Sequence, residues 1–158
     1  ALTVAKKNST HNENKKIVEW LLKKEEIFKY NDLITHKNFY QECLKQRKIL
    51  INLLKNLKNM KKTVLGYGAS TKGNVILQFC NIDSNLIPYI GEVNKYKYNK
   101  YTPGSGIKII SEKELKNKKP DYLLVLPWHF KNFIIKKEQK FIKNGGKLIF
   151  PLPDIEII

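Results

Sequence analysis

The chain has 158 residues, of which 42% are hydrophobic and 11% aromatic, enough for one compact domain with a helical lead-in and a real core. Lys and Arg number 30 against 14 Asp and Glu, giving a formal net charge of +16. The cations are nearly all Lys, interleaved with Asn and Ile rather than gathered with Arg and aromatics on one face, so the expectation is a solvated basic surface that attracts anions, not a specific nucleic-acid binder.

No apolar run approaches the roughly 20 residues of a membrane span, and the opening ALTVAKKNSTHNENKK lacks the order of a signal peptide, which makes the cytoplasm the expected compartment. Leu2 to Ala5 reads as a short strand stub with nothing obvious to pair with. From about Lys15 to Phe28 the apolar positions Ile17, Val18, Leu21, Leu22 and Phe28 predict an amphipathic helix. Asn31 and Asp32 interrupt it. Thr35 is the expected cap of a longer helix to about Asn59, with Phe39, Cys43, Leu50, Leu54 and Leu57 on one stripe.

Beyond Met60 short apolar runs alternate with helical stretches, the pattern of βαβ units and a parallel sheet. Strands are predicted at Thr63 to Gly66, Ile87 to Glu92, Ile107 to Ile110, Tyr122 to Leu126 and Lys147 to Phe150. The run YLLVL suits a strand covered on both faces and therefore a central one. Ser111 with Glu114 forms a capping box for a short helix. A longer helix is expected from about Trp128 to Lys143, burying Phe130, Phe133, Ile134, Phe141 and Ile142, with Gly145 and Gly146 ending it. The expected fold is α/β: a small, Rossmann-like doubly wound parallel sheet of about five strands, preceded by two helices, with residues 1–60 as strand stub and lead-in and 61–158 as the α/β domain.

Chemistry concentrates in GYGASTKGN, Gly66 to Asn74, which follows a predicted strand and opens a helix. There the backbone amides and helix dipole can face an anion such as phosphate. A purely structural strand-to-helix turn is the alternative. Lys72 can add a charged contact, whereas Thr71 stands where a dinucleotide fingerprint would put its third glycine, which weakens an NAD-type reading. Glu92, 24 positions beyond Gly68, can accept ribose hydroxyls or simply cap the end of its strand. Asn94, Lys97, Tyr101, Thr102, Pro103 and Gly104 follow the second strand. Pro127, Trp128 and His129 follow the fourth. Both loops lie at carboxyl ends of strands, where open parallel sheets bind ligands, although Trp128 and His129 also fit a packed aromatic beside an exposed imidazole. Cys43, Cys80, His11, His36 and His129 have no metal-ligand spacing, and no nucleophile, base or carboxylate pair suggests catalysis.

GYGASTKGNVILQFC, GEVNKYKYNKYTPG, LLVLPWHF and GGKLIFPLPDIEII together resemble the C-terminal domain of the SAM-dependent nucleotide-sugar C-methyltransferases. LTVAKKNST is similar to the last strand of that family's methyltransferase domain, and the segment KKEEIFKYNDLITHKNFYQECLKQRKILINLLKNLK to its connecting helices. The resemblance implies a Rossmann-like domain that holds a nucleotide-linked 4-keto-6-deoxy sugar while a separate or covalently attached methyltransferase domain methylates a ring carbon. SAM, zinc and the catalytic residues would belong to those other parts, with no cofactor, metal or catalytic group in this chain. The candidate sugar-nucleotide contacts are then Gly66, Gly68, Ala69, Ser70, Thr71, Lys72, Gly73, Asn74, Glu92, Asn94, Tyr101, Thr102, Pro103, Gly104, Trp128 and His129. The sequence departs from the family pattern at Lys95, where a proline is usual, and at Lys100, where a glycine is. The identities of the sugar and the nucleotide are not legible.

Overall fold

A computed structural model describes residues 4–158, and the chain divides into two compact units, Ala1–Glu42 and Cys43–Ile158. In the first unit, α1 (Lys15–Ile27) starts where the Asn14 side chain accepts from the Ile17 amide at 3.4 Å. It stops before Lys29, whose φ of 53° no helix accommodates. The strand stub expected at Leu2–Ala5 falls partly outside the described residues, and Val4 and Ala5 form no strand. Helix α2 (Leu33–Asn59) begins two residues ahead of the expected Thr35 cap, because the Asp32 carbonyl accepts from the Thr35 amide at 3.1 Å and closes a turn upstream.

From Cys43 onward α2 belongs to the second unit, where Leu50, Leu54 and Leu57 are buried at the spacing of one helix face. Cys43 is half-buried on the same stripe, and Phe39, in the first unit, is exposed. The second unit is built on β1 (Val64–Tyr67), β2 (Tyr89–Glu92), β3 (Lys108–Ser111), β4 (Tyr122–Val125) and β5 (Lys147–Phe150), all paired in parallel. The order is β3-β2-β1-β4-β5-β6, and the two-residue β6 (Glu156–Ile157) runs antiparallel to β5. The parallel α/β architecture is as expected. The sixth strand is new, since two residues are too short to leave a periodicity in the sequence.

Alternation along the strands makes two cores, one on each face of the sheet. Val64, Ile90, Leu124, Leu126 and Ile149 face α3 (Thr71–Phe79) and the second half of α2. Leu65, Tyr67, Leu123, Val125, Leu148 and Phe150 face α4 (Glu112–Asn117), α5 (Lys131–Lys137) and α6 (Gln139–Lys143). The YLLVL strand is central, and it is buried on both sides because helices cover both. The Ser111–Glu114 capping box opens α4 as the sequence predicts.

The single helix expected from Trp128 to Lys143 is instead a 3-10 turn (Trp128–Phe130) followed by α5 and α6, broken at Glu138. Glu138 is 1% exposed, its carboxylate turned inward. Ile134 is buried as expected and Phe141 and Ile142 are half-buried, but Phe130 and Phe133 are exposed. Gly145 alone supplies the positive φ that ends α6, at 88°.

At the amino-terminal ends of the central strands, the Asp121 carboxylate accepts from the Thr63 amide at 2.8 Å and from Lys62 at 3.1 Å. The Thr63 hydrogen bond first, and Lys62 after it, hold this carboxyl below the ordinary Asp range against the opposing effect of desolvation. A depressed folded-state pKa contributes stability that is present above the ordinary value, about 3.9, and is lost as pH falls through the folded value. Denaturant midpoints measured from about pH 5 down to about pH 2 are therefore expected to fall, with a shallower fall in Asp121→Asn and a lower starting midpoint. Parallel pH profiles for the two proteins would contradict the clamp.

Candidate functional site

Gly68 leaves β1 with φ 78°, and its amide donates to the Gly91 carbonyl at 2.7 Å. A Cβ at this position would lie 2.7 Å from Cδ of Pro127, so only glycine lets the turn lie against the exit of β4. The Ser70 side chain then caps α3 by accepting from the Gly73 amide at 2.9 Å. The amides of Thr71 and Lys72, at the first two helical positions, have no intrahelical acceptor, and both residues are exposed.

Glu92 fastens this turn to the end of β2. One of its carboxylate oxygens accepts from the Ala69 amide at 3.0 Å and from Lys97 at 3.4 Å. The other accepts from the amides of Val93, at 2.8 Å, and Asn94, at 3.0 Å. Lys97 also donates to the Ala69 carbonyl at 2.9 Å, gripping the same residue from its other side. Four donors match the roughly four lone-pair sites of a carboxylate, so a buried charge is fully satisfied within the protein. Of the four contacts, the one from half-exposed Lys97, at 3.4 Å, is the longest and comes from a side chain, the other three being backbone amides.

At the carboxyl ends of β1, β2 and β4 a cleft of about 240 Å³ opens. Gly68, Ser70, Glu92, Lys97 and Pro127 line it among the residues singled out from the sequence as ligand contacts or crevice loops. Gly66 is buried in β1 against Ile90, and Ala69 and Gly73 are buried in the turn. Asn74 has its side-chain oxygen buried without a hydrogen-bond partner. The Asn94 side chain accepts from the Tyr96 amide at 3.0 Å and caps a 3-10 turn (Lys95–Lys97).

The YTPG loop does not line the cleft. Thr102 is buried and accepts from the Ile107 amide at 2.9 Å, while the Pro103 carbonyl accepts from Gln78 on α3 at 3.0 Å. Gly104, at φ 74°, lies against the same Gln78 side chain, and Tyr101 is exposed. Trp128 is half-buried against both cores. His129 is exposed between Trp128 and Phe130, its ring centroid 4.3 Å from the latter's.

Sequence reasoning missed the far wall of the cleft: Tyr67, Glu112, Phe130, Phe133 and Lys137. Tyr67 donates to Glu138 at 2.9 Å, and Lys116 pairs with the same carboxylate at 2.9 Å. Burial first, then the neighbouring Glu138 carboxylate, pushes the Tyr67 phenol far above its ordinary pKa, so it stays neutral. Lys137 spans from α5 to α4, contacting both Glu112 oxygens at 2.7 and 2.9 Å, and lies 5.3 Å over the Tyr67 ring. The alternation of β1 places Tyr67 on the α5 face and was readable. The pairing of Lys137 with Glu112 links segments 25 residues apart and had no local signal. Among the described residues no cluster of His, Cys, Asp and Glu could hold a metal ion, and no helix is long and apolar enough to cross a membrane.

Residues 1–153 match the family model described as C-methyltransferase C-terminal domain. The chain is also 39% identical over 97 residues to the C-methyltransferase NovU of Streptomyces niveus. That match covers 61% of this chain and 23% of the relative's length.

The packing of the turn on β4 is testable at Gly73, where an added Cβ would lie 2.5 Å from the Leu126 Cβ and 3.0 Å from the Ser70 hydroxyl. Helix propensity favours Gly73→Ala by about 1 kcal/mol, but overpacking against a backbone-proximal atom costs about 1–3 kcal/mol. The clash is expected to win and lower the melting temperature by roughly 2–6 °C. A higher melting temperature in Gly73→Ala contradicts this close approach.

Proposed function

The chain belongs to the C-methyltransferase C-terminal domain family, and from that premise we propose that it is the substrate-holding part of a sugar C-methyltransferase. It binds a nucleotide-linked 4-keto-6-deoxy sugar and presents it to a methyltransferase domain, in the same polypeptide or a separate one. That domain binds SAM, which supplies the methyl group. The observation that carries this reading is the position of the cleft. Strands β1 and β4 are neighbours in the sheet, yet their connections leave in opposite directions, toward β2 and toward β5. The crevice outside such a switch point is where open α/β sheets hold nucleotides.

In this reading the orphan amides of Thr71 and Lys72 and the Lys72 ammonium take a phosphate, helped by the positive end of the nine-residue α3. Glu92 accepts a ribose hydroxyl once Lys97 yields. The exposed side chains of Tyr101 and His129, and the Asn94 side-chain nitrogen beyond the oxygen that caps the 3-10 turn, meet the sugar or the facing methyltransferase domain. Thr102, Pro103 and Gly104 act by shaping their loop.

Binding a ligand only in the folded state raises the melting temperature by mass action. Nucleotide-sugars are expected to raise it at near-physiological salt, whereas NAD and short oligonucleotides are not. Stabilisation by NAD alone would favour a dinucleotide module, and nanomolar oligonucleotide binding at that salt a nucleic-acid protein. Lys72→Ala is expected to weaken nucleotide-sugar binding roughly ten- to a hundredfold, the effect of losing a charged phosphate contact of about 1.5–3 kcal/mol, with little change in melting. Lys136→Ala, an exposed lysine on α5, is the control for the general field. Equal losses in both variants would reduce Lys72 to background charge.

The methyl donor gives a second test. The 158-residue chain alone is expected neither to bind SAM at micromolar concentration nor to transfer its methyl group. Stoichiometric binding in calorimetry would contradict the division of labour proposed here.

A further inference from the structure

We infer that the cleft beside the glycine turn seats the base of the nucleotide, stacked on Phe133 and Phe130, and that the phosphates lie outside it. This deepens the substrate-holding role proposed above and rests on it. The first observation is exposure. Phe133 is 67% and Phe130 57% exposed, on one face of the segment that borders the cleft. Two phenyl rings left in water beside a concave site form a surface that gains by being covered. The cleft, at about 240 Å³, is smaller than the roughly 300–1,000 Å³ of sites for drug-sized ligands. It suits one ring system rather than a whole nucleotide-linked sugar.

The second observation is charge. The cleft holds two cations and two anions, and they are already paired: Lys97 with Glu92 at 3.4 Å, and Lys137 with Glu112 at 2.7 Å. A diphosphate placed here would have to draw both lysines from their carboxylates and then face those carboxylates, one of them buried. An uncharged planar base meets no such opposition. Its face can lie on the phenyl rings, as bases do on aromatic side chains. Its edge can reach the Lys137–Glu112 pair, which offers a donor next to an acceptor, the complement of adjacent acceptor and donor groups on a base edge. Tyr67 contributes only its ring, because its hydroxyl is committed to Glu138.

The test is a titration of the isotope-labelled 158-residue chain, followed by amide NMR, with uridine, guanosine, adenosine and inorganic pyrophosphate. At least one nucleoside is expected to shift the amides of Gly68, Phe133 and Lys137. Pyrophosphate is expected to leave the Phe133 and Lys137 amides in place. Phe133→Leu, which keeps apolar bulk but loses the ring, is expected to weaken nucleoside binding on the order of tenfold. Phe133→Tyr is expected to keep it within about twofold, and Lys136→Ala to leave it unchanged.

Pyrophosphate shifting the cleft amides while no nucleoside does so would overturn the inference. So would nucleoside binding unchanged in Phe133→Leu. If nucleotide-sugars bind equally well to wild type and Phe133→Leu, the base lies elsewhere and the substrate-holding role stands. If nucleosides bind in the cleft but nucleotide-sugars bind no more tightly than nucleosides, the base site stands and that role falls.

Discussion

The buried carboxylate of Glu92 is the constraint on which the site depends. Taking a charge out of water costs several kcal/mol, and here the cost is offset by three backbone amides and a lysine. Those donors come from the glycine turn after β1 and from the chain leaving β2. The carboxylate therefore fixes the separation of two loops that share no regular structure. It also places a negative charge close to the amino-terminal end of α3, where the helix dipole favours it. The floor of the cleft follows from that fixed distance.

Glu138 repeats the device on the opposite side. It is withdrawn from water at a break between two short helices, and Tyr67 and Lys116 satisfy it. In both places a lysine with roughly half-exposed side chain completes the shell of a buried acid. A chain with 30 basic residues against 14 acidic ones can spare the cations. Its few buried carboxylates are the scarcer resource. The glycines serve the same tight assembly: Gly68 admits Pro127 and Gly73 admits Leu126, so the turn after β1 sits directly on the exit of β4.

The sequence made the sheet legible because short apolar runs mark the parallel strands, continuous along β4, and the capping box at Ser111 is a local signal. It also marked the glycine turn and Glu92. It did not show that Glu92 would be fully occupied by its own neighbours, since the Ala69 amide reaches it across 23 positions of chain. Phe130 and Phe133 were misplaced for a physical reason. Phe130 falls in the 3-10 turn ahead of α5, outside the helical phase the sequence implied, and Phe133 lies on α5 next to Ile134 but faces solvent, because only Ile134 on that helix is buried against the sheet. The break at Glu138 has no glycine or proline to announce it, and arises with a tertiary contact.

The two margins of the sheet are closed in different ways. Along β3, the outer side is taken by residues 99–102, through bonds such as Asn99 to the Ile109 carbonyl at 2.9 Å and Ile109 to the Lys100 carbonyl at 2.8 Å. Along β5 the outer side is taken by β6, which is only two residues long. Short or covered margins are how natural sheets avoid templating a foreign strand. This protein therefore offers little backbone for strand addition. Recognition is thereby left to the loop end of the sheet and to its helices, and a lysine-rich chain prone to promiscuous attraction is at least protected from promiscuous β-pairing at these two margins.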